Sequence, residues 1–257
     1  MSILGFELRR LFPSFLAWTL VLSLVIRILL PVLTGLFTSR VLLEAAGDMG
    51  DAVLSLIGTS VEDLSGDLGA FALLNTLVLG AVAIFSQRLG LAMMTRDRLA
   101  GTTDYLLTKD YSRLEIYLYR LLTGLLLTAA LSYVYFIASG MALEAALPGG
   151  YPQEIFLRMI LTIFWIQLIF LVLGLILGIL IPGIRQYFLV SLGTVLLLWL
   201  PAPAGEFLSP FSAFSNLGIL ARGEASGGPA LFWLLGILLL AAGGAWLFRT
   251  RDIPPAA

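Results

Sequence analysis

Histidine and cysteine are both missing from this 257-residue chain. Their absence removes thiolate and imidazole metal sites, histidine haem ligation and every nucleophile system built on Cys or on a Ser-His pair. It also removes disulfides, so loops between the helices are held by packing alone. Lysine occurs once, as Lys109 after Thr108, and there is no G-x-x-x-x-G-K-[ST]. The chain is therefore expected to hydrolyse no nucleotide itself. Charge is scarce, at 12% of residues against 60% hydrophobic, where a soluble domain carries about 25% charged. Acidic residues avoid the centres of the apolar runs. That weakens a self-sufficient proton-driven mechanism, which usually relies on intramembrane carboxylates or histidines. No nucleic acid is expected among the partners.

What is present is long apolar sequence. A helix needs about 20 apolar residues to cross the hydrocarbon core. Uncharged runs of that order cover 68–87, 121–143, 159–184, 186–205 and 225–248, and a sixth, roughly 14–37, is interrupted only by Arg27. None alternates with period two, which argues against a β-barrel. The expected fold is one all-α integral membrane domain over residues 1–257. Its six spans are expected at about 14–37, 68–87, 116–140, 158–181, 186–203 and 228–248. The stretch FLSPFSAFSNLGILARGEASGG after the fifth span is broken by Pro, Ser and Gly. It reads as a re-entrant or interfacial segment, not a seventh span.

Lys and Arg in short loops set the orientation. With the N-terminus inside, Arg9, Arg10, Arg88, Arg96, Arg98, Lys109, Arg113, Arg120, Arg185, Arg249 and Arg251 are inside or at the inner boundary. Only Arg40 and Arg222 are outside, with Arg158 near the outer boundary. Both termini are therefore expected in the cytoplasm and the protein in the cell membrane. The first dozen residues lack the features of a cleavable signal peptide, because the apolar run continues to full span length. Leu4, Leu8, Leu11 and Phe12 make an apolar stripe with Glu7, Arg9 and Arg10 off it. This predicts an interfacial helix over 1–13 that turns into the membrane near Pro13.

Few polar residues fall within the spans. Arg27 costs at least about 2.5 kcal/mol at a span centre, so it either faces protein, water or an anionic group, or snorkels to an interface. Asn75 and Gln167 are candidates for a substrate pathway with Arg27, or for ordinary hydrogen bonds between helices. Gly174 and Gly178 form a GxxxG pair in the fourth span, a weak signal in a chain with 26 glycines.

The segment 94–113 is the longest polar stretch on the inner side. At 3.6 residues per turn, Leu99, Thr103, Leu106 and Leu107 share one face, and Asp97, Arg98, Gly101, Asp104 and Thr108 fall on the other. A short amphipathic helix between the second and third spans can dock a soluble partner or lie on lipid headgroups.

The run LAGTTDYLLTKDYSRLEIYLYRLL resembles the signature of permease subunits of type-2 ATP-binding-cassette exporters. The matching residues are Gly101-Thr102, Leu106-Leu107, Ser112-Arg113, Glu115-Ile116 and Arg120. FELRRLFPSFLAW near the start, LSPFSAF after the fifth span and LFRTRDIP after the sixth are similar to the family too. Ala100 and Asp110 depart from it, standing where the family commonly has an acidic residue and a proline. The resemblance implies a coupling helix, with Arg98, Leu99, Gly101, Thr102, Tyr105 and Leu106 meeting an ATPase. It implies two copies of that ATPase subunit, which would bind ATP and Mg, and a second permease chain in a membrane-embedded dimer. It also implies export of an amphiphilic peptide, lipid or drug through a gate near the outer ends of the fifth and sixth spans. A stand-alone channel or ion-coupled carrier is the alternative. An intramembrane enzyme is disfavoured by the missing histidine and the lack of paired carboxylates.

Overall fold

The structure, a computed structural model, describes residues 3–38, 66–99, 112–181, 183–224 and 227–250. Those residues form helices and turns, with no strand among them. The long helices are α1 (Ile3–Thr38), α2 (Gly69–Leu99), α3 (Arg113–Ala146), α4 (Gln153–Leu180) and α5 (Tyr187–Trp199). After α5 come a 3-10 turn at Ala202–Ala204, two short helices, α6 (Pro210–Ala213) and α7 (Asn216–Arg222), and finally α8 (Gly227–Thr250). Six helical segments are long and apolar enough to cross a membrane, the make-up of a multi-pass membrane protein. The expected spans agree with them to within about five residues, except at the start of α1, the C-terminal end of α2 and the C-terminal end of α3.

The helices run alternately up and down. Arg88 of α2 meets Ser14 of α1, Arg120 of α3 meets Met94 of α2, and Tyr117 of α3 meets Ala241 of α8. The start of α1 and the last turns of α2 and α8 thus share one end of the bundle, here the near end. Asn75, Tyr135, Met159 and Asn216 meet toward the other, far end.

α2 and α4 occupy the centre. α4 is apolar all round, as a helix covered on most sides must be, and both are mostly buried while α1, α5 and α8 are mostly exposed. The sequence lets α2 and α4 approach closely. A methyl group at Gly174 would run into the Gln87 carbonyl, and one at Gly90 into the Leu171 carbonyl. Gly178 adds to this seam, facing Met94. The GxxxG pair is therefore a backbone contact surface, where small residues allow dense van der Waals packing.

A separate interfacial helix over 1–13 is not found. Ile3–Thr38 is one helix of 36 residues that runs through Pro13 and Pro31, about 54 Å long. Pro13 removes one hydrogen bond, yet packing continues on both sides of it. Leu11 is buried, and Leu8, Phe15 and Trp18 lie against the core. Phe12, expected on the same stripe, is exposed.

The stretch after α5 folds back onto the bundle. Ser209 caps α6 through the Phe211 N–H, and Ser215 caps α7 through the Gly218 N–H. Phe211, Phe214, Leu217 and Ile219 are buried. α7 ends at Gly223, whose φ of 78° suits a glycine C-cap. The Gly223 carbonyl accepts a 2.9 Å hydrogen bond from Arg158 on α4. The stretch is thus not a seventh long span, in keeping with the expectation of a re-entrant or interfacial segment.

Candidate functional site

Two polar clusters interrupt the apolar interior, one near each end. At the far end Asn75 is fully buried and bridges three elements. Its amide NH2 donates to the Met159 carbonyl at 3.2 Å and to Asn216 Oδ1 at 3.1 Å. Its own carbonyl oxygen accepts from the Tyr135 hydroxyl at 3.1 Å. Thr162 donates to Asn216 Oδ1 at 3.1 Å. Asn75 lies six residues into α2, about 9 Å from its end, and Thr162 nine residues into α4, about 14 Å. Asn216 of the re-entrant segment therefore reaches well below the far surface. About one and a half turns beyond Thr162 on α4, Gln167 Oε1 accepts from Ser132 of α3 at 3.2 Å.

At the near end the cluster is ionic. Glu7 is 1% exposed and Arg120 4%. Arg120 Nε stands 3.4 Å from Glu7 Oε1, and Arg10 Nε 3.6 Å from Glu7 Oε2. Arg120 also reaches Met94 Sδ at 3.8 Å. One carboxylate and two guanidinium groups thus join α1, α2 and α3, about two turns into α3. Burial makes this pairing obligatory, because a lone ion here costs several kcal/mol.

α3 starts beside this cluster with a capping box. The Glu115 N–H donates to Ser112 Oγ at 3.2 Å, and the Ser112 N–H to Glu115 Oε2 at 2.7 Å. The spacing of Ser112 and Glu115 is thereby explained by helix initiation.

The predicted site residues separate. Asn75 and Gln167 are buried and hydrogen-bonded between helices, Gln167 through its carbonyl oxygen only, with its Nε2 left without a partner. Arg27 is exposed on the outer face of α1, between Leu24 and Ile28, and pairs with no side chain among the described residues. The structure therefore does not bring these three together as one pathway. Arg98 and Leu99 belong to the last turn of α2, so that helix carries on where a new one was expected to begin. Gly101, Thr102, Tyr105 and Leu106 lie outside the described residues, as does most of the 94–113 segment.

Glu7 is a correction. A lone-helix stripe puts it off the apolar face, but α3 covers that side of α1 and buries it. Its partner Arg120 carried a signal, since an arginine inside an expected span needs a counter-ion. Tyr135, Ser132 and Thr162 gave no comparable signal, because a single hydroxyl is common in a span, and Asn216 lies in a short helix outside the spans. Among the described residues, no three Asp or Glu side chains come together to hold a metal.

No protein-family model matches the chain, and no curated protein is found similar to it.

Proposed function

We propose that this chain is the permease subunit of an ATP-binding-cassette exporter, working as a pair of permease chains with two separate ATPase subunits. The near end, rich in arginine, faces the cytoplasm with both termini. The chain between α2 and α3 is the docking element for the ATPase. The cargo is amphiphilic: a peptide, lipid or drug. The permease supplies path and selectivity; ATP and Mg are bound by the partner.

One observation carries this reading. The residues that resemble the exporter signature, from Gly101-Thr102 to Arg120, lie at the junction of α2 and α3. There Arg120 is locked to Glu7 of α1. A push on the docking element would therefore be shared by three helices at once instead of being absorbed in a loop.

The test is association and coupling. The chain, purified in mild detergent from its own cells, is expected to bring a nucleotide-binding ATPase with it. Arg98→Glu, or a tryptophan at Gly101, is expected to release that ATPase or to uncouple its hydrolysis from transport, with normal insertion of the permease. A chain that purifies alone and transports along an ion gradient would replace this reading with that of a carrier. Orientation is checked in the same cells. Because the chain has no cysteine of its own, one placed at exposed Gly149 should react with an impermeant thiol reagent from outside, and one at Asp104 should not.

A further inference from the structure

At the far end α3 and α4 part around an open cavity of about 340 Å³, within the range of small-molecule sites. Phe136, Gly140 and Glu144 line it from α3, Tyr151 from the connecting turn, and Phe156 and Leu157 from α4. Three of these rings touch. Phe136 stacks on Phe156 with ring centres 5.7 Å apart, and Tyr151 meets Phe156 edge-on at 5.4 Å. Gly140 keeps the space open. A methyl group there would meet only the Tyr151 hydroxyl, 4.0 Å away.

The lining is graded along the helix axes. On α3 the uncharged run 121–143 ends at Glu144, and on α4 the run 159–184 begins after Arg158. The cavity straddles that level. Glu144 stands eight residues from Phe136, about 12 Å along α3. An acid therefore marks the outer part of the cavity, and rings and aliphatic side chains mark the inner part. A membrane leaflet has the same gradient, from headgroup to acyl chain. The charge is of one sign. Among the described residues Glu144 lines the cavity and no lysine or arginine does. Arg158, next to Leu157 in the chain, is turned to Glu154 and to the Gly223 carbonyl. Burial first, and then the Glu144 charge, raise the Tyr151 phenol above its ordinary range. It therefore stays a neutral ring beside the carboxylate.

We propose that this cavity binds the ammonium head of a cationic amphiphile seated in the leaflet at the far end. Glu144 supplies the opposite charge. Phe136, Tyr151 and Phe156 supply the aromatic surface that favours quaternary ammonium groups. The tail leaves between Ile137 and Leu157, both lining residues exposed on the outside of the bundle. A zwitterionic phospholipid suits the cavity less, because its phosphate would be held near Glu144 with no basic group in the described lining. The site is at the opposite end of the bundle from the segment between α2 and α3. It holds whether or not the chain works with an ATPase.

The experiment uses the purified full chain in dodecyl maltoside. Decyltrimethylammonium, kept below its own micelle-forming concentration, is the probe. Binding is measured by equilibrium dialysis, with uptake by protein-free micelles subtracted, and thermal unfolding of each variant confirms folding. One saturable site per chain is expected, at least fivefold tighter than for decylphosphocholine or decanol. Glu144→Gln should weaken it at least fivefold. Glu224→Gln, an exposed acid at the same end outside the cavity, should leave it unchanged. Gly140→Leu fills the cavity with the charge intact and should weaken binding at least threefold. If that variant does not fold, Ile137→Trp, at an exposed position of the lining, takes its place with the same expectation. Equal affinities for the Glu144 and Glu224 variants would overturn the site. Undiminished binding in the filled variant would also overturn it, leaving only surface charge. Decylphosphocholine binding as tightly as the cation would overturn the cationic amphiphile as the occupant, in favour of a lipid headgroup.

Discussion

At the near end of the bundle three helices meet on one carboxylate and two guanidinium groups. At the far end three long helices and the re-entrant segment meet on two amides, a phenol and hydroxyls. Both clusters are buried, yet their energetics differ. A neutral hydrogen-bond network asks only for geometry, and each group in it loses about 1–3 kcal/mol if left without a partner. An ion pair in the same surroundings depends on both partners together: remove one and the other is stranded. The neutral knot ties α2, α3 and α4 to α7 with no charge to switch. The ionic clamp joins α1, α2 and α3 where a cytoplasmic partner would act under the proposed function. The far end is thus held by neutral hydrogen bonds and the near end by paired charges; under the proposed function the first is the fixed anchor and the second the responsive junction.

The largest effect should come from breaking the clamp on one side only. Arg120→Met leaves Glu7 buried beside a thioether and is expected to cost about 3–5 kcal/mol. Denaturant unfolding of the purified chain measures this. Replacing both partners, with Glu7→Leu and Arg120→Met, should recover most of that loss, because an apolar pair of similar size needs no counter-ion. If the double variant is as unstable as the single one, the loss comes from Arg10, which Glu7→Leu deprives of its carboxylate.

Asn75→Leu is the matching cut at the far end. It deprives the Tyr135 hydroxyl of its acceptor and removes one donor to Asn216. A loss of about 1–3 kcal/mol is expected, smaller than at the clamp and independent of salt. Gln167→Leu, which gives up one bond to Ser132, should cost about 0.6 kcal/mol, near the average for hydrogen bonds between membrane helices. Should Gln167→Leu cost more than Asn75→Leu, the deeper bond would be the anchor and the re-entrant segment only its cover.

Much of this arrangement is legible in the sequence, and the remainder has physical reasons for being hidden. The spans follow from uncharged runs, because transfer into hydrocarbon is nearly additive along a helix. The re-entrant stretch shows itself through Pro201, Pro203, Pro210 and the serines around it, which break a span and supply caps. Asn75 and Gln167 stand out as polar residues in apolar runs. Their partners do not, since Asn216 lies 141 positions from Asn75 and only tertiary packing brings them together. The continuity of α1 is hidden for another reason. Pro13 reads as a break in an isolated helix, while packing against neighbouring helices keeps the chain helical through it. The burial of Glu7 fails to show in the same way, since helical periodicity ranks faces by hydrophobicity and not by which neighbour arrives.

The smallest expected effect tests whether the comparison is complete. Arg27 is the one arginine within the middle of a span, and it lies on the exposed face of α1 with Leu24 and Ile28 beside it. Thirteen residues separate it from Ser14, about 20 Å along the helix. That places it in the leaflet at the far end, beyond the reach of the ionic clamp. Neither cluster touches it. Arg27→Gln should therefore change the unfolding free energy of the purified chain by no more than about 0.5 kcal/mol, the range of substitutions away from structural features. Arg27→Leu should do no harm either, because a charge facing lipid is a cost. A loss above about 1 kcal/mol in either variant would mean that Arg27 has a counter-group beyond the described residues or in a second chain. The molecule would then have a third polar anchor, and the division into a fixed far end and a responsive near end would have to be redrawn around α1.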